Sequence, residues 1–155
     1  MSMIYKNGRK ALFILGLIVA LMMLLTVLKF EGLNYAGYEV IFGKEIFDVN
    51  PFDLGSIASA YLPFSFSALL AFTLPLIAGI IALVSKKLPL VSLILLVAGL
   101  IFLIRLPDTI EIVYVVAGSE NSTEIDWTMG LGLIGALVFS SLATILNVFL
   151  VVSDK

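Results

Sequence analysis

The sequence has 155 residues, of which 61% are hydrophobic and 13% are charged. Soluble domains are less apolar and about twice as charged, so this composition favours a membrane protein with a single domain. The net charge of −2 is too small to indicate nucleic-acid binding, and the sequence has no basic stripe. There is no Cys and no His, which removes disulfides, the usual zinc sites and Cys- or His-based catalysis. We therefore predict no enzyme and no cofactor.

Long apolar runs predict an all-α membrane protein, a four-transmembrane-helix bundle in one domain of residues 1–155. The predicted spans cover residues 11–28, 64–85, 88–104 and 127–152. The first run is longer than the apolar core of a signal peptide, and no typical cleavage site follows it. We therefore expect the first run to remain as a span.

Small residues recur at helical spacing within three of the spans. In lipid, such residues let helices approach closely, and this packing does much to hold a bundle together. The predicted helix-packing interface therefore consists of Gly132, Ala136 and Ser140 in the last span, with Gly16, Ala20 and Gly79 in the others.

The first outer loop, residues 29–63, is the longest polar stretch. Tyr38, Val40 and Phe42 alternate with other residues and predict a strand, and Gly43-Lys44 could turn it into a second strand at residues 45–47. The fold class therefore includes a small β-hairpin-like extracytoplasmic segment. Asn50-Pro51 has the pattern of a helix start, which predicts a short helix that carries Tyr61 near the membrane surface.

The second outer loop, residues 105–126, is partly apolar, so its first half is either a continuation of the third helix or a strand. Residues 118–124 are predicted to form a loop, and Thr123 or Asp126 is a candidate cap for the last helix. Trp127 follows, where an aromatic side chain commonly anchors a helix at the membrane surface.

Basic residues predict the orientation of the chain. More of them lie at the two termini and between the second and third spans than in the outer loops. The positive-inside rule therefore predicts a multi-pass protein of the cell (plasma) membrane with its N- and C-termini in the cytoplasm. The acidic residues, apart from Asp154, fall in the two outer loops, which makes the outer surface acidic.

Three residues are candidates for a polar or kinked site. Pro75 lies in the middle of the second span, where it either bends the helix for structural reasons or provides a hinge. Asn147 either bonds across helices or contacts a ligand. Arg105 either pairs with Asp108 at the interface or holds a lipid phosphate or a partner carboxylate.

The predicted layout resembles that of claudin-type proteins, with four spans, a long strand-containing first outer loop and a shorter second one. The claudin signature, a W, a G-L-W and two cysteines, is not present in the first outer loop. The nearest tripeptide there is Gly32-Leu33-Asn34. The resemblance is therefore one of layout, without membership of the family.

Two functions follow as hypotheses. The leading one is a non-enzymatic accessory or structural subunit that assembles with itself or with a membrane partner through small-residue helix faces and acidic outer loops. The possible outer recognition surface consists of Tyr38, Phe42, Phe47 and Tyr61. The alternative is a small oligomeric transporter, channel or lipid-handling protein, for which Pro75 and Asn147 are the support. In both cases membrane lipid surrounds the spans.

Overall fold

A computed structural model describes residues 3–49, 57–85 and 89–153. Four of the described helices are long enough and apolar enough to cross a membrane. They are α1 (Met3–Leu21, continued by a 3-10 turn at Met22–Leu24), α3 (Phe66–Val84), α4 (Pro89–Thr109) and α5 (Leu131–Ser153). At 1.5 Å per residue, α3 alone is about 28 Å long, close to the thickness of a bilayer core.

The four helices form a bundle in which each packs on two neighbours. α1 and α4 both pack against α3 and α5, so that α1 faces α4 across the bundle. The start of α3 is fixed by Ser65, whose Oγ accepts a hydrogen bond from the backbone N–H of Ala68 at 3.2 Å. Side chains on the outward faces of the helices, such as Ile94, Val138 and Phe149, are exposed, as expected for contact with lipid.

All the strands lie at one end of the bundle, which we call the sheet end. The opposite end, where α1 begins and α3 ends, is called the Arg9 end. A three-stranded antiparallel sheet has the order β2-β1-β7, from β1 (Thr26–Phe30), β2 (Leu33–Ala36) and β7 (Thr128–Met129). A four-stranded antiparallel sheet has the order β3-β4-β5-β6, from β3 (Lys44–Val49), β4 (Ala58–Leu62), β5 (Glu111–Val116) and β6 (Ser119–Glu124).

The predicted hairpin in the first outer loop is wrong. Gly37–Phe42 is a short helix, α2, whose first turn is held by a hydrogen bond of 2.9 Å from the backbone N–H of Ala36 to the Glu39 carboxylate. The second half of the predicted hairpin is indeed a strand, β3, but it pairs with β4 and not with the segment before it. Tyr61 therefore lies on a strand, and not on the predicted helix. The predicted start of that helix lies outside the described residues.

Residues 111–124 of the second outer loop form a hairpin, in which Glu111–Val116 is a strand and Ser119–Glu124 is a second strand where a loop was predicted. β5 and β6 are joined at Ala117 and Gly118, which both have positive φ angles of 50° and 81°. α4 runs through Arg105 and Pro107 to Thr109, five residues beyond the predicted end of the third span.

The first and last helices also differ from their predicted spans at the sheet end. Residues 26–28 belong to β1, because the chain leaves the helix after Leu24. The last helix begins at Leu131, so neither Thr123 nor Asp126 caps it. Trp127 is 8% exposed and belongs to the core at the sheet end, and it is therefore not an interfacial anchor.

Candidate interaction surfaces

The two faces of the four-stranded sheet have different chemistry. In an antiparallel sheet, directly paired residues point to the same side. Tyr61 pairs with both Glu45 and Val113, and Glu120 pairs with Val115. By this register, every carboxylate on the four strands lies on one side, which we call the acidic face: Glu45, Asp48, Glu111, Glu120 and Glu124.

The opposite side, the neutral face, carries no carboxylate. Its members on β3, β4 and β5 are largely apolar, and those on β6 are uncharged: Phe47, Val49, Ala58, Ala60, Leu62, Ile112, Tyr114, Val116, Ser119, Asn121 and Thr123. Lys44, at the base of β3, is the charged residue on this side. Leu62 and Ile112, near the helices, contribute to the core, but Phe47, Val49 and Val116 are 49%, 49% and 50% exposed. On β3, β4 and β5, the half of the neutral face furthest from the bundle is thus an apolar surface that no described residue covers.

A hydrogen bond crosses the acidic face. The Tyr61 hydroxyl donates to Glu120 Oε1 at 2.7 Å, and this bond links β4 to β6 over the intervening β5. The bond to Glu120 raises the pKa of Tyr61, because the hydroxyl proton is held by the carboxylate. Among the described residues, no group of three His, Cys, Asp or Glu side chains is placed to hold a metal ion.

The base of the four-stranded sheet is tied to α2 by an ion pair. Lys44 Nζ lies 2.6 Å from Glu39 Oε1 and 5.6 Å from the centre of the Tyr35 ring. Burial tends to raise the pKa of Glu39, but the hydrogen bonds from Lys44 and from the Ala36 N–H outweigh it and lower the pKa below its usual value. The hydrogen bond to Glu39 raises the pKa of Lys44, and burial raises that of Tyr35.

A groove beside the start of α3 contains several hydroxyl groups. Ser65 Oγ lies 3.0 Å from Ser67 Oγ, which lies 3.3 Å from Thr109 Oγ1, and Glu111 also lines the groove. The Thr109 hydroxyl donates to the Leu106 carbonyl, and Ser65 caps α3. These bonds stabilise the ends of two helices, and the chain has no His to activate a serine.

The predicted helix-packing residues lie inside the bundle, with their contacts within this chain. A Cβ at Gly16 would clash with the Pro75 carbonyl of α3, and one at Gly79 would lie 2.9 Å from the Phe13 Cα of α1. A Cβ at Gly132 would lie 2.8 Å from the Met22 carbonyl. Ala136 and Ser140 are fully buried, whereas Ala20 is partly buried.

The three candidates for a polar or kinked site lie apart from one another. Pro75 packs between two helices, since a Cβ at Gly99 of α4 would lie 2.9 Å from its Cδ and Gly16 of α1 is on its other side. Asn147 is 1% exposed, and its Nδ2 donates to the Pro89 carbonyl at 3.4 Å. Arg105 is exposed near the sheet end of α4, and no ion pair joins it to Asp108 in the part of the chain that the structure describes.

The predicted outer recognition residues do not form one surface. Tyr38 and Phe42 are exposed on α2, which packs on α3 and β1. Phe47 lies on the neutral face, and Tyr61 lies on the acidic face. The sequence pattern missed the neutral face because β4 and β5, which form its centre, are separated in the chain by two helices. The short apolar run at residues 112–116, rich in β-branched side chains, was the available signal of a strand.

Comparison of the chain with models of protein families, with curated proteins and with solved structures found no match.

Proposed function

We propose that the protein is a non-enzymatic subunit of a cell-membrane assembly, which binds a partner subunit or a second copy of itself through the neutral face. The observation that carries this proposal is the exposure of Phe47, Val49 and Val116, each about one half exposed. A sheet with an apolar face normally buries that face against another layer. The four-stranded sheet supplies one layer, and the second layer would come from the partner.

The packing of the small-residue helix faces argues against an assembly through the helices. Gly16, Gly79 and Gly132 are already in close contact with backbone atoms of this chain. The outward helix faces carry large apolar side chains instead, which suit membrane lipid. This distribution supports recognition at the sheet end.

The acidic face has a different role in the proposal. Like charges repel when two such faces approach, so the carboxylates favour association through the neutral face over stacking of the acidic faces. The positive-inside rule predicts that the sheet end lies outside the cell and that both chain termini lie in the cytoplasm. The partner would therefore contact the protein outside the membrane, or would itself span the same membrane.

Photo-cross-linking in intact cells tests the proposal. Val115 and Val116 are neighbours on β5 but point to opposite faces, because they pair with Glu120 and Ser119 respectively. A photoreactive phenylalanine analogue at position 116 should give one discrete cross-linked product, whereas the same analogue at position 115 should give little. A product of twice the mass of the chain would identify a second copy, and any other discrete mass would identify a partner subunit. Equal products at both positions, or none at position 116, would contradict the proposal.

The alternative of a small oligomeric transporter, channel or lipid-handling protein stays a prediction. Asn147 and Ser140 are its polar interior groups, and both are buried between helices of the same chain. Ser140 Oγ has no hydrogen-bond partner among the described residues.

A further inference from the structure

Arg9 is a buried cation at the Arg9 end of the bundle. Arg9 lies two residues inside the apolar span Asn7–Leu24, close to the end of the bundle. It is nevertheless only 9% exposed. Its Nε donates to the Ala82 carbonyl, and its Nη2 donates to the Leu83 carbonyl at 2.9 Å. These carbonyls belong to the last turn of α3, where backbone oxygens lack helical partners and a cation is favoured. Arg9 thus joins the start of α1 to the end of α3.

The guanidinium group has more donors than these two bonds use. An arginine side chain has five N–H donors, and no acid within the described part of the chain forms an ion pair with Arg9. The described carboxylates lie at the sheet end, at the other side of the bundle, on the two sheets, their connections and the last turn of α4. A cation without a counter-charge is costly to remove from water, and the described residues offer Arg9 only carbonyl dipoles, which offset that cost in part.

A narrow polar pocket opens beside the guanidinium group. It is lined by Arg9, Ala82, Ser85, Pro89, Asn147 and Leu150, and its interior volume is about 10 Å³. The side chain of Asn147 closes one side and is 1% exposed. A volume of this size holds about one water-sized group, so it admits one oxygen of a larger anion and excludes a whole metabolite.

We propose that this pocket binds one oxygen of a phosphate group, with Arg9 as the principal ligand. Arginine suits phosphate because its planar N–H donors match the phosphate oxygens in geometry and in charge. The phosphate group can come from a lipid headgroup or from free inorganic phosphate. The depth of Arg9, at the edge of a membrane span, favours the lipid source, and the exposed Lys10 beside it adds attraction for an anionic headgroup. This inference is independent of the proposed function of the neutral face.

Lipid retention by the full-length protein tests the proposal. The purified protein is equilibrated in detergent with equal amounts of phosphatidylglycerol and of galactosyl diacylglycerol, a bilayer lipid without phosphate, and native mass spectrometry then counts the lipids that remain bound. We expect about a tenfold preference for phosphatidylglycerol in the wild type. Arg9→Lys, which keeps the charge but loses the planar donors, should abolish most of this preference. Lys10→Gln, which removes one charge from the exposed neighbour, should retain most of it.

Two results would overturn the proposal: no preference in the wild type, or equal losses in Arg9→Lys and Lys10→Gln. The latter result would mean that only the general positive charge attracts the lipid. Because a variant that does not fold would give no answer, a second measurement uses the wild type alone. Its melting temperature in maltoside detergent micelles, which contain no phosphate, should rise with added phosphatidylglycerol but not with inorganic phosphate. An equal rise with inorganic phosphate would identify the free anion as the source, and no rise with either would reject the site.

Discussion

Trp127 joins the two sheets to the end of α4. Its indole Nε1 donates to the Ile110 carbonyl at 2.7 Å, between the end of α4 and the start of β5. Its ring meets Tyr35 and Phe30 edge-on, with centroid separations of 5.5 and 5.9 Å. One side chain therefore fixes the position of β5 relative to the three-stranded sheet.

Replacing Trp127 with Phe should loosen the sheet end without disrupting the bundle. The change keeps an aromatic ring but leaves the Ile110 carbonyl without its donor, which costs about 1–3 kcal/mol. Hydrogen–deuterium exchange should become faster in residues 26–36 and 111–116 and remain unchanged in α3. The control is Phe42→Leu, at a side chain that is 67% exposed, and it should leave exchange at the sheet end unchanged. Equal exchange rates at residues 26–36 and 111–116 in Trp127→Phe and the wild type would show that Trp127 does not hold the two sheets together.

Glu39 makes the stability of the sheet end depend on pH. Because folding lowers the pKa of Glu39, its stabilisation is complete above the unfolded pKa of about 4.3 and is lost as the pH falls through the folded value. Glu39→Gln should be less stable than the wild type at pH 7 by about 1 kcal/mol or less, since Lys44 is partly exposed and solvent screens the pair.

Thermal unfolding of both proteins between pH 3 and 7 would measure this effect, and the difference should narrow below about pH 4. A difference that stays constant over the whole range would mean that the carboxylate charge of Glu39 is not the cause.

Among the elements, the four long helices were predictable, whereas the short helix α2 and the pairing of the strands were not. A membrane helix is defined by a local run of apolar residues, so residues 66–84 and 131–152 stand out without any tertiary information. The register of β4 on β5 instead pairs Tyr61 with Val113, across two helices, and no local pattern encodes it. The alternation at residues 38–42 was misleading because Glu39 accepts from the Ala36 N–H and stabilises a helix start there.

The small residues of the spans show the same limit of local sequence patterns for the predicted helix-packing interface. Their spacing correctly indicates close approach of helices, but spacing alone cannot say whether the neighbouring helix belongs to the same chain. Gly16 and Gly79 contact α3 and α1 of this chain, and the exposed apolar patch outside the spans lies at the sheet end.

Gly79 and Gly135 provide a matched pair for testing the α1–α3 contact. A Cβ at Gly79 would lie 2.9 Å from the Phe13 Cα, which cannot move without shifting a helix. A Cβ at Gly135 would also lie 2.9 Å from its nearest atom, but that atom is the Met22 Sδ on a flexible side chain. Gly79→Ala should therefore lower the free energy of unfolding by about 1–3 kcal/mol, whereas Gly135→Ala should change it little.

Denaturation of the detergent-solubilised variants would measure both changes. If Gly135→Ala were the more damaging of the two, the close α1–α3 packing would not be a major source of stability.

For the molecule as a whole, the distribution of charge predicts an orientation in the membrane, with both termini in the cytoplasm. The chain has no Cys, so single cysteines report their own position without background. Ser119→Cys lies at the exposed tip of the four-stranded sheet, and Ser153→Cys lies at the exposed end of α5. A membrane-impermeant maleimide should label Ser119→Cys in intact cells and should label Ser153→Cys only after the membrane is opened. The reverse pattern would place the neutral face in the cytoplasm.

Association through the neutral face can be tested by measuring the mass of the native particle. The wild type in mild detergent should be larger than its 16.8 kDa monomer after the detergent is subtracted. Val116→Glu buries a charge in the proposed contact and should reduce the particle to the monomer. Val115→Glu, on the acidic face, should leave it assembled. A wild type that is already a 16.8 kDa monomer without a partner would rule out association through the neutral face. An equal effect of the two substitutions would rule it out as well.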